Sequence, residues 1–313
     1  MVKFQRDLPA VVALGGGHGL SASLSALRHI SDHLTAVVTV ADDGGSSGKL
    51  REELHCLPPG DLRMALAALC DDTDWGKTWS AVLQSRFASD GPLDHHAVGN
   101  LLIAGLWAKF PDPVVGLDWV AKLLGARGRV LPMSTVPLTV GADVSGAGGV
   151  AHEVVGQSKL AKCELTIDHL WIEPANPPVS PEVVKAILDS DWVVLGPGSW
   201  YTSVIVHLLV PELAEALHVT TAGRLLTMNL TADKETTGLG VVDHLEVLHA
   251  HAPGLRIDYV LADPSSIEDL DATSEAASRL GAELVVRSVA TDDGEPTHDP
   301  QKLAAAYREI FAA

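Results

Sequence analysis

The sequence predicts an α/β fold: a doubly wound, mostly parallel sheet carrying a small antiparallel β insert. Three observations lead there. Short runs such as AVVAL (10–14) and TAVVTV (35–40) are apolar at consecutive positions, the pattern of strands covered on both faces. These runs alternate with segments of helical spacing, the order of a parallel sheet built from βα units. Several runs end in polar, Gly- or Asp-rich segments, and ligands in open α/β sheets bind beyond the carboxyl ends of the strands.

Taken in order, strands are expected at 10–14, 34–40, 192–195, 225–229, 257–261 and 283–288. Helical periodicity marks 20–29, 61–70, 98–108, 181–189, 211–218, 242–251 and 301–311. Residues 129–171 differ: their runs alternate and carry a Gly-rich turn at 145–149, so a β-hairpin insert is expected there. The 313 residues, 47% of them apolar, suffice for one large core, and no linker or repeat divides the chain. A single domain over 1–313 is therefore expected.

With 22 basic and 40 acidic residues the formal charge is −18, and no Lys/Arg block occurs, which argues against a nucleic-acid surface. An anionic ligand must then be met by backbone N–H groups and a few chosen cations. Cys56, Cys70 and Cys163 have no C-x-x-C spacing, so neither a disulfide framework nor a zinc site is favoured. The N-terminal residues lack a signal-peptide pattern, and no apolar run reaches the roughly 18 residues of a membrane helix. A soluble, cytoplasmic protein is expected.

Six polar loops carry the candidate chemistry. In VVALGGGHGLSASL, Gly16, Gly17, His18, Gly19 and Leu20 lie between a strand and a helix, where backbone N–H groups can cradle a phosphate. Gly17, Gly19 and Ala22 also satisfy G-x-G-x-x-[G/A], which leaves an NAD site open, as it leaves a plain tight turn. In VADDGGSSGKLRE, Asp42 and Asp43 would meet a ribose diol or a Mg²⁺ ion, while Gly45, Ser46 and Ser47 could form an anion nest beside Lys49. The alternative is an N-cap for a helix from Lys49. Gly60, Asp61 and Arg63 open a third element, read equally as an ordinary helix start. In LDHHAVGNLL, His96 could face the cleft, with Gly99 and Asn100 in the following helix. Gly196, Gly198 and Ser199, followed by Tyr201 and Thr202, repeat the strand–glycine–helix logic of the first loop. Asn229 ends a strand, and Glu235 lies in the polar loop after it. No nucleophile elbow or general base is recognisable.

Together these loops resemble the YvcK family, a bacterial branch of the CofD-like proteins also called gluconeogenesis factors. The matching pieces are Gly15-Gly16-Gly17-His18-Gly19-Leu20, Ala41-Asp42-Asp43-Gly44-Gly45-Ser46-Ser47-Gly48 and Pro58-Pro59-Gly60-Asp61-Leu62-Arg63. Val98-Gly99-Asn100-Leu101-Leu102, Ala126-Arg127-Gly128-Arg129-Val130-Leu131-Pro132 and Gly196-Pro197-Gly198-Ser199-Trp200-Tyr201-Thr202-Ser203 continue the match. They span the first two-thirds of the chain; beyond it the match rests on Asn229, Glu235-Thr236 and Asp243-His244. His18 stands where the family usually has Thr, Asp94-His95-His96-Ala97 where a Gly-His-Ser-Phe-like run is common, and Thr297 where Arg often precedes His-Asp.

The resemblance implies a Rossmann-like fold with a nucleotide cleft, its phosphate loop on Gly16–Leu20 and paired aspartates at Asp42 and Asp43. It also places Arg127 in the site. For the YvcK branch it implies UDP-sugar binding, notably UDP-N-acetylglucosamine, and a link between carbon metabolism, cell shape and wall synthesis. For the CofD branch it implies transfer of a 2-phospholactyl group from a guanosine nucleotide to a deazaflavin, with Mg²⁺. The expected protein is thus a nucleotide-sugar binder without turnover, and a Mg²⁺-dependent transferase is the alternative. A regulatory protein and further copies of the chain are the expected macromolecular partners.

Overall fold

A computed structural model describes residues 8–146 and 151–313. Among the described residues ten strands form two sheets: β1 (Ala10–Gly15), β2 (His33–Val38), β3 (Arg129–Pro132), β4 (Thr139–Ser145), β5 (Ala151–Val155), β6 (Thr166–Glu173), β7 (Trp192–Leu195), β8 (Gly223–Thr227), β9 (Tyr259–Ala262) and β10 (Glu283–Val286). The large sheet has the order β10-β9-β8-β7-β1-β2-β3, with every neighbouring pair parallel. All six residues of β1 are buried, as a central strand covered on both faces requires. The helix Gly17–Leu27 packs on Gly60–Ala68 and Pro300–Phe311, while Pro181–Asp189 packs on Pro211–Val219.

The strand order runs outward in opposite directions from β1 and β7. Their carboxyl ends therefore flank a topological switch point, where loops diverge and leave a crevice.

The small sheet is antiparallel, in the order β5-β4-β6. It begins later than expected. Arg129–Pro132 leaves the expected insert and pairs in parallel with β2 as the edge of the large sheet. The reason is legible in Val130 and Leu131, consecutive apolar residues that are both buried, whereas side chains alternate only from Thr139 onward. The expected turn at 145–149 falls partly on residues 147–149, which lie outside the described residues. Among the described residues no single helix is long and apolar enough to cross a membrane.

Candidate functional site

The first glycine loop leaves β1 at the switch point. Gly17 adopts φ +57°, a left-handed conformation that side chains resist, and the helix Gly17–Leu27 starts there with no side-chain cap. Its amino end carries the partial positive charge of a helix start, and Gly16, without a side chain, supplies no cap to it. Gly19 has a different reason. A Cβ on it would lie 2.3 Å from the Pro197 carbonyl oxygen and 2.5 Å from the Gly198 Cα, so the first glycine loop touches the second. Leu20 turns into the core, while His18 is exposed on the rim.

Asp61 forms the floor beneath Gly16. Its carboxyl accepts the Gly17 N–H, and its Oδ2 lies 2.6 Å from where a Gly16 Cβ would stand. Burial, and then the charge of Asp42, push Asp61 up to about 7. Asp42 accepts the Gly44 N–H through Oδ1 at 3.0 Å, and its Oδ2 approaches Gly60, which begins the helix carrying Asp61.

The expected Asp42/Asp43 pair is split. The two neighbours point apart, and Asp43 Oδ1 accepts the N–H and the hydroxyl of Ser158 in the insert, the former at 2.9 Å. Asp42 is instead the carboxylate whose charge acts on Asp61. Among the described residues, no group of three or more His, Cys, Asp or Glu side chains gathers as a metal cluster.

In the second loop, Asn229 clamps Gly198 from both sides: its Oδ1 accepts the Gly198 N–H at 2.8 Å, and its Nδ2 donates to the Gly198 carbonyl at 2.9 Å. The helix start after this loop is not open to an anion. Glu235, almost fully buried, accepts the N–H groups of Tyr201 at 2.9 Å and Thr202 at 3.5 Å, and the Thr202 hydroxyl at 3.2 Å. An internal carboxylate thus fills the anion position expected at Tyr201 and Thr202. Burial pushes Glu235 up to about 7. Ser199 instead faces the crevice, hydrogen-bonded to Asp233.

Other expected residues brace rather than line the crevice. The Ser46 hydroxyl is a buried hub, 3.1 Å from His96 Nδ1, and accepts from the Ala97 N–H at 3.3 Å and Asn100 Nδ2 at 3.0 Å. Ser47 packs on Gly60, and Gly99 on Leu83 and Arg63. Gly45 begins the helix Gly45–Leu54, four residues ahead of the alternative start at Lys49, whose side chain is exposed. Arg63 is buried near Asp61 and Asp42, its Nε unpartnered. Arg127 is displaced from the site altogether. It precedes β3, and the adjoining Gly128 approaches Leu34 at the start of β2, so Arg127 stands at the amino-terminal edge of the sheet.

The crevice between the two loops has a volume of about 430 Å³. Its walls include residues outside the expected set: Gln157 from the insert, Ser203, Asp233 and His298. His298 is 9% exposed, hydrogen-bonded to the Met228 backbone, with its Nε2 unpartnered. Ser203 and His298 stand in pieces already compared with the family, whereas no local pattern announces Gln157 or Asp233; the sheet order brings all four to one edge.

Comparison with known proteins follows the same lines. The family described as 2-phospho-L-lactate transferase CofD matches residues 11–294. The putative gluconeogenesis factor of Mycobacterium tuberculosis (strain ATCC 25618 / H37Rv) is 48% identical over 309 residues, covering 96% of this chain and 90% of that protein. The gluconeogenesis factor of Listeria monocytogenes (serovar 1/2a) is 35% identical over 310 residues, covering 95% and 94%. A crystal structure of a UPF0052 family member from Bacillus halodurans superposes with a TM-score of 0.85 at 33% identity, covering 96% of this chain and 99% of that one.

Proposed function

The chain belongs to the 2-phospho-L-lactate transferase CofD family, and from that premise we propose that it binds a nucleotide-sugar of the UDP-N-acetylglucosamine type between its two glycine loops. In this reading it is a cytoplasmic regulator that links carbon metabolism to cell shape and wall synthesis. The carrying observation is the start of the helix Gly17–Leu27, where Asp61 takes the Gly17 N–H from beneath and Gly17, His18 and Gly19 line the 430 Å³ crevice. A diphosphate placed there meets backbone N–H groups and the positive end of the helix. Asn229 and Asp233 offer hydrogen-bonding partners for sugar hydroxyls from the neighbouring strand end.

A second reading, a Mg²⁺-dependent transferase with a nucleotide-activated donor, is favoured by the charge of Asp42 acting on the buried carboxyl of Asp61. A buried carboxyl whose proton affinity is raised by burial and by a second carboxylate's charge is an oxygen-donor chemistry that suits a hard divalent cation. Bound there, Mg²⁺ would neutralise phosphate charge. Asp61 accepts the Gly17 N–H and so orients the phosphate loop, and a carboxyl titrating at about 7 can hold or release a proton at physiological pH.

The experiment is calorimetric titration with UDP-N-acetylglucosamine, UDP, GDP and NAD, with and without Mg²⁺, followed by recovery of the ligand. Selective binding of the UDP-sugar, recovered intact, is the expected result. Guanosine-nucleotide preference that requires Mg²⁺, with product formed from a phospholactyl donor and a deazaflavin, would replace the first reading by the second.

A further inference from the structure

We propose that the exposed face of the helix Pro113–Leu124 is an interface with a second copy of this chain, the two helices packing antiparallel about a two-fold axis level with Leu117. The inference does not depend on what the crevice binds.

Trp75 and Trp119 are the two exposed tryptophans among the described residues, 56% and 47% open, and they lie in one patch. Val115, Trp119 and Leu123 are all exposed and stand at successive intervals of four residues, so they form one stripe along the helix. Trp75 donates its indole N–H to the Leu123 carbonyl at 3.2 Å, and Phe110 stacks on Trp119 with ring centroids 6.1 Å apart. Both extend the stripe into a continuous apolar patch. Single exposed apolar residues are ordinary, whereas a contiguous aromatic patch marks a contact surface.

The charges on this face identify what covers it. Asp112, Val115, Trp119 and Lys122 follow at intervals of three, four and three residues, the spacing of a coiled-coil seam. Asp112 and Lys122 are exposed. Asp112 caps the helix through Oδ1, which accepts the Val114 N–H at 2.9 Å and leaves Oδ2 for another donor. Lys122 lies over the Trp119 ring, 5.3 Å from its centroid, and forms no ion pair among the described residues. Asp118, on the flank, is already held by Arg129. The seam therefore reads acid, apolar, apolar, base.

Such a seam is complementary to its own reverse. Across a two-fold axis level with Leu117, residues equally far on either side of that level meet. Val115 then faces the partner's Trp119, and Trp119 the partner's Val115, as two apolar layers at the centre. Asp112 faces the partner's Lys122, and Lys122 the partner's Asp112, as an ion pair at each end. The helix dipoles are opposed as well. Parallel pairing would instead set like charges together at both ends. A two-fold contact uses one patch twice, and a self-complementary pattern is what it requires.

The test is sedimentation equilibrium on the full chain over a wide range of concentration. The parent should be a dimer that dissociates on dilution. Trp119→Glu should weaken it about thirtyfold or more, as loss of a central tryptophan does. Lys122→Glu should weaken it about tenfold or more, because each end then sets two carboxylates together. A mixture reads the register: chains with Lys122→Glu and chains with Asp112→Lys each repel their own kind, yet together restore both ion pairs. They should form a heterodimer with the parental affinity. Circular dichroism verifies folding; should Asp112→Lys fail to fold through loss of its cap, the variants at the exposed Trp119 and Lys122 decide. A monomer at every concentration overturns the proposal. So does a dimer indifferent to Trp119→Glu and Lys122→Glu, or a mixture that associates no more tightly than its components.

Discussion

Glu235 and Thr202 are joined through both polar ends of the threonine: the N–H donates to Oε1 at 3.5 Å and the hydroxyl to Oε2 at 3.2 Å. With the Tyr201 N–H on the same Oε1, one carboxyl serves the start of the π-helical turn Trp200–Ile205. Glu235→Ala strips these buried donors of their acceptor and should cost about 1–3 kcal/mol of stability for the groups left unpaired. Glu235→Gln keeps one oxygen acceptor and should cost less. Urea denaturation of both variants measures the difference, and equal losses would contradict this account.

Gly19 and Gly105 make a matched pair of Gly→Ala substitutions. At Gly19 the new methyl meets the Pro197 carbonyl at 2.3 Å, so the glycine loops must part, at about 1–3 kcal/mol for overpacking. At Gly105, exposed in the helix Val98–Lys109, it meets nothing within 4 Å, and alanine should stabilise by about 0.5–1 kcal/mol. Thermal denaturation should show shifts of opposite sign. Nucleotide binding should be weakened only at Gly19.

Asp61 predicts a pH-dependent difference. Its proton affinity is raised from 3.8 to about 7, so between those values the folded chain binds more protons than the unfolded one, and stability falls as pH rises across that window. Raw stability curves mix this with His207, His244 and His298, whose lowered values act in the opposite sense below 6.5. These contributions are common to both proteins and cancel when Asp61→Asn is compared with the parent. The variant should gain relative stability from pH 5 to pH 7 and hold that gain above about 7. A difference independent of pH would show that Asp61 titrates like an ordinary surface acid.

Ser46 tests whether the loop after β2 is braced from beneath. Ser46→Ala removes the acceptor of the Ala97 N–H and of Asn100 Nδ2, both buried, and should destabilise by about 1–3 kcal/mol. Hydrogen exchange at Ala97 should accelerate in the variant. Unchanged protection there would mean that Ser46 is not the anchor.

The parallel sheet and both glycine loops were legible because each is a local pattern: consecutive apolar residues, then glycine, then helical spacing. Pro113–Leu124 was legible as well, with Asp112 as cap, Pro113 in its first turn and Gly125 closing it, yet it lies outside the expected set. Leu270–Arg279 is harder, since it buries only Thr273, Ala276 and Ala277 and so has little apolar contrast. The site was legible in part. Asp42, Asp61 and Asn229 could be picked out as polar residues at strand and helix ends. Their partners could not: Asp43 turns to Ser158 across 115 positions of sequence, and Glu235 to Thr202 across 33. Residue type marks a carboxylate as available; topology decides whether it meets a ligand or a backbone N–H.

The bond between Asp43 and Ser158 makes the small sheet a handle on the crevice. Gln157, the neighbour of Ser158, lines that crevice, while Asp42, the neighbour of Asp43, approaches Gly60 at the start of the helix whose Asp61 forms its floor. A ligand that displaced the loop after β2 would have to carry the segment that follows β5 with it or break this bond. By reciprocity, whatever coupling ligand binding has to the posture of the insert, the insert has in equal measure to ligand affinity.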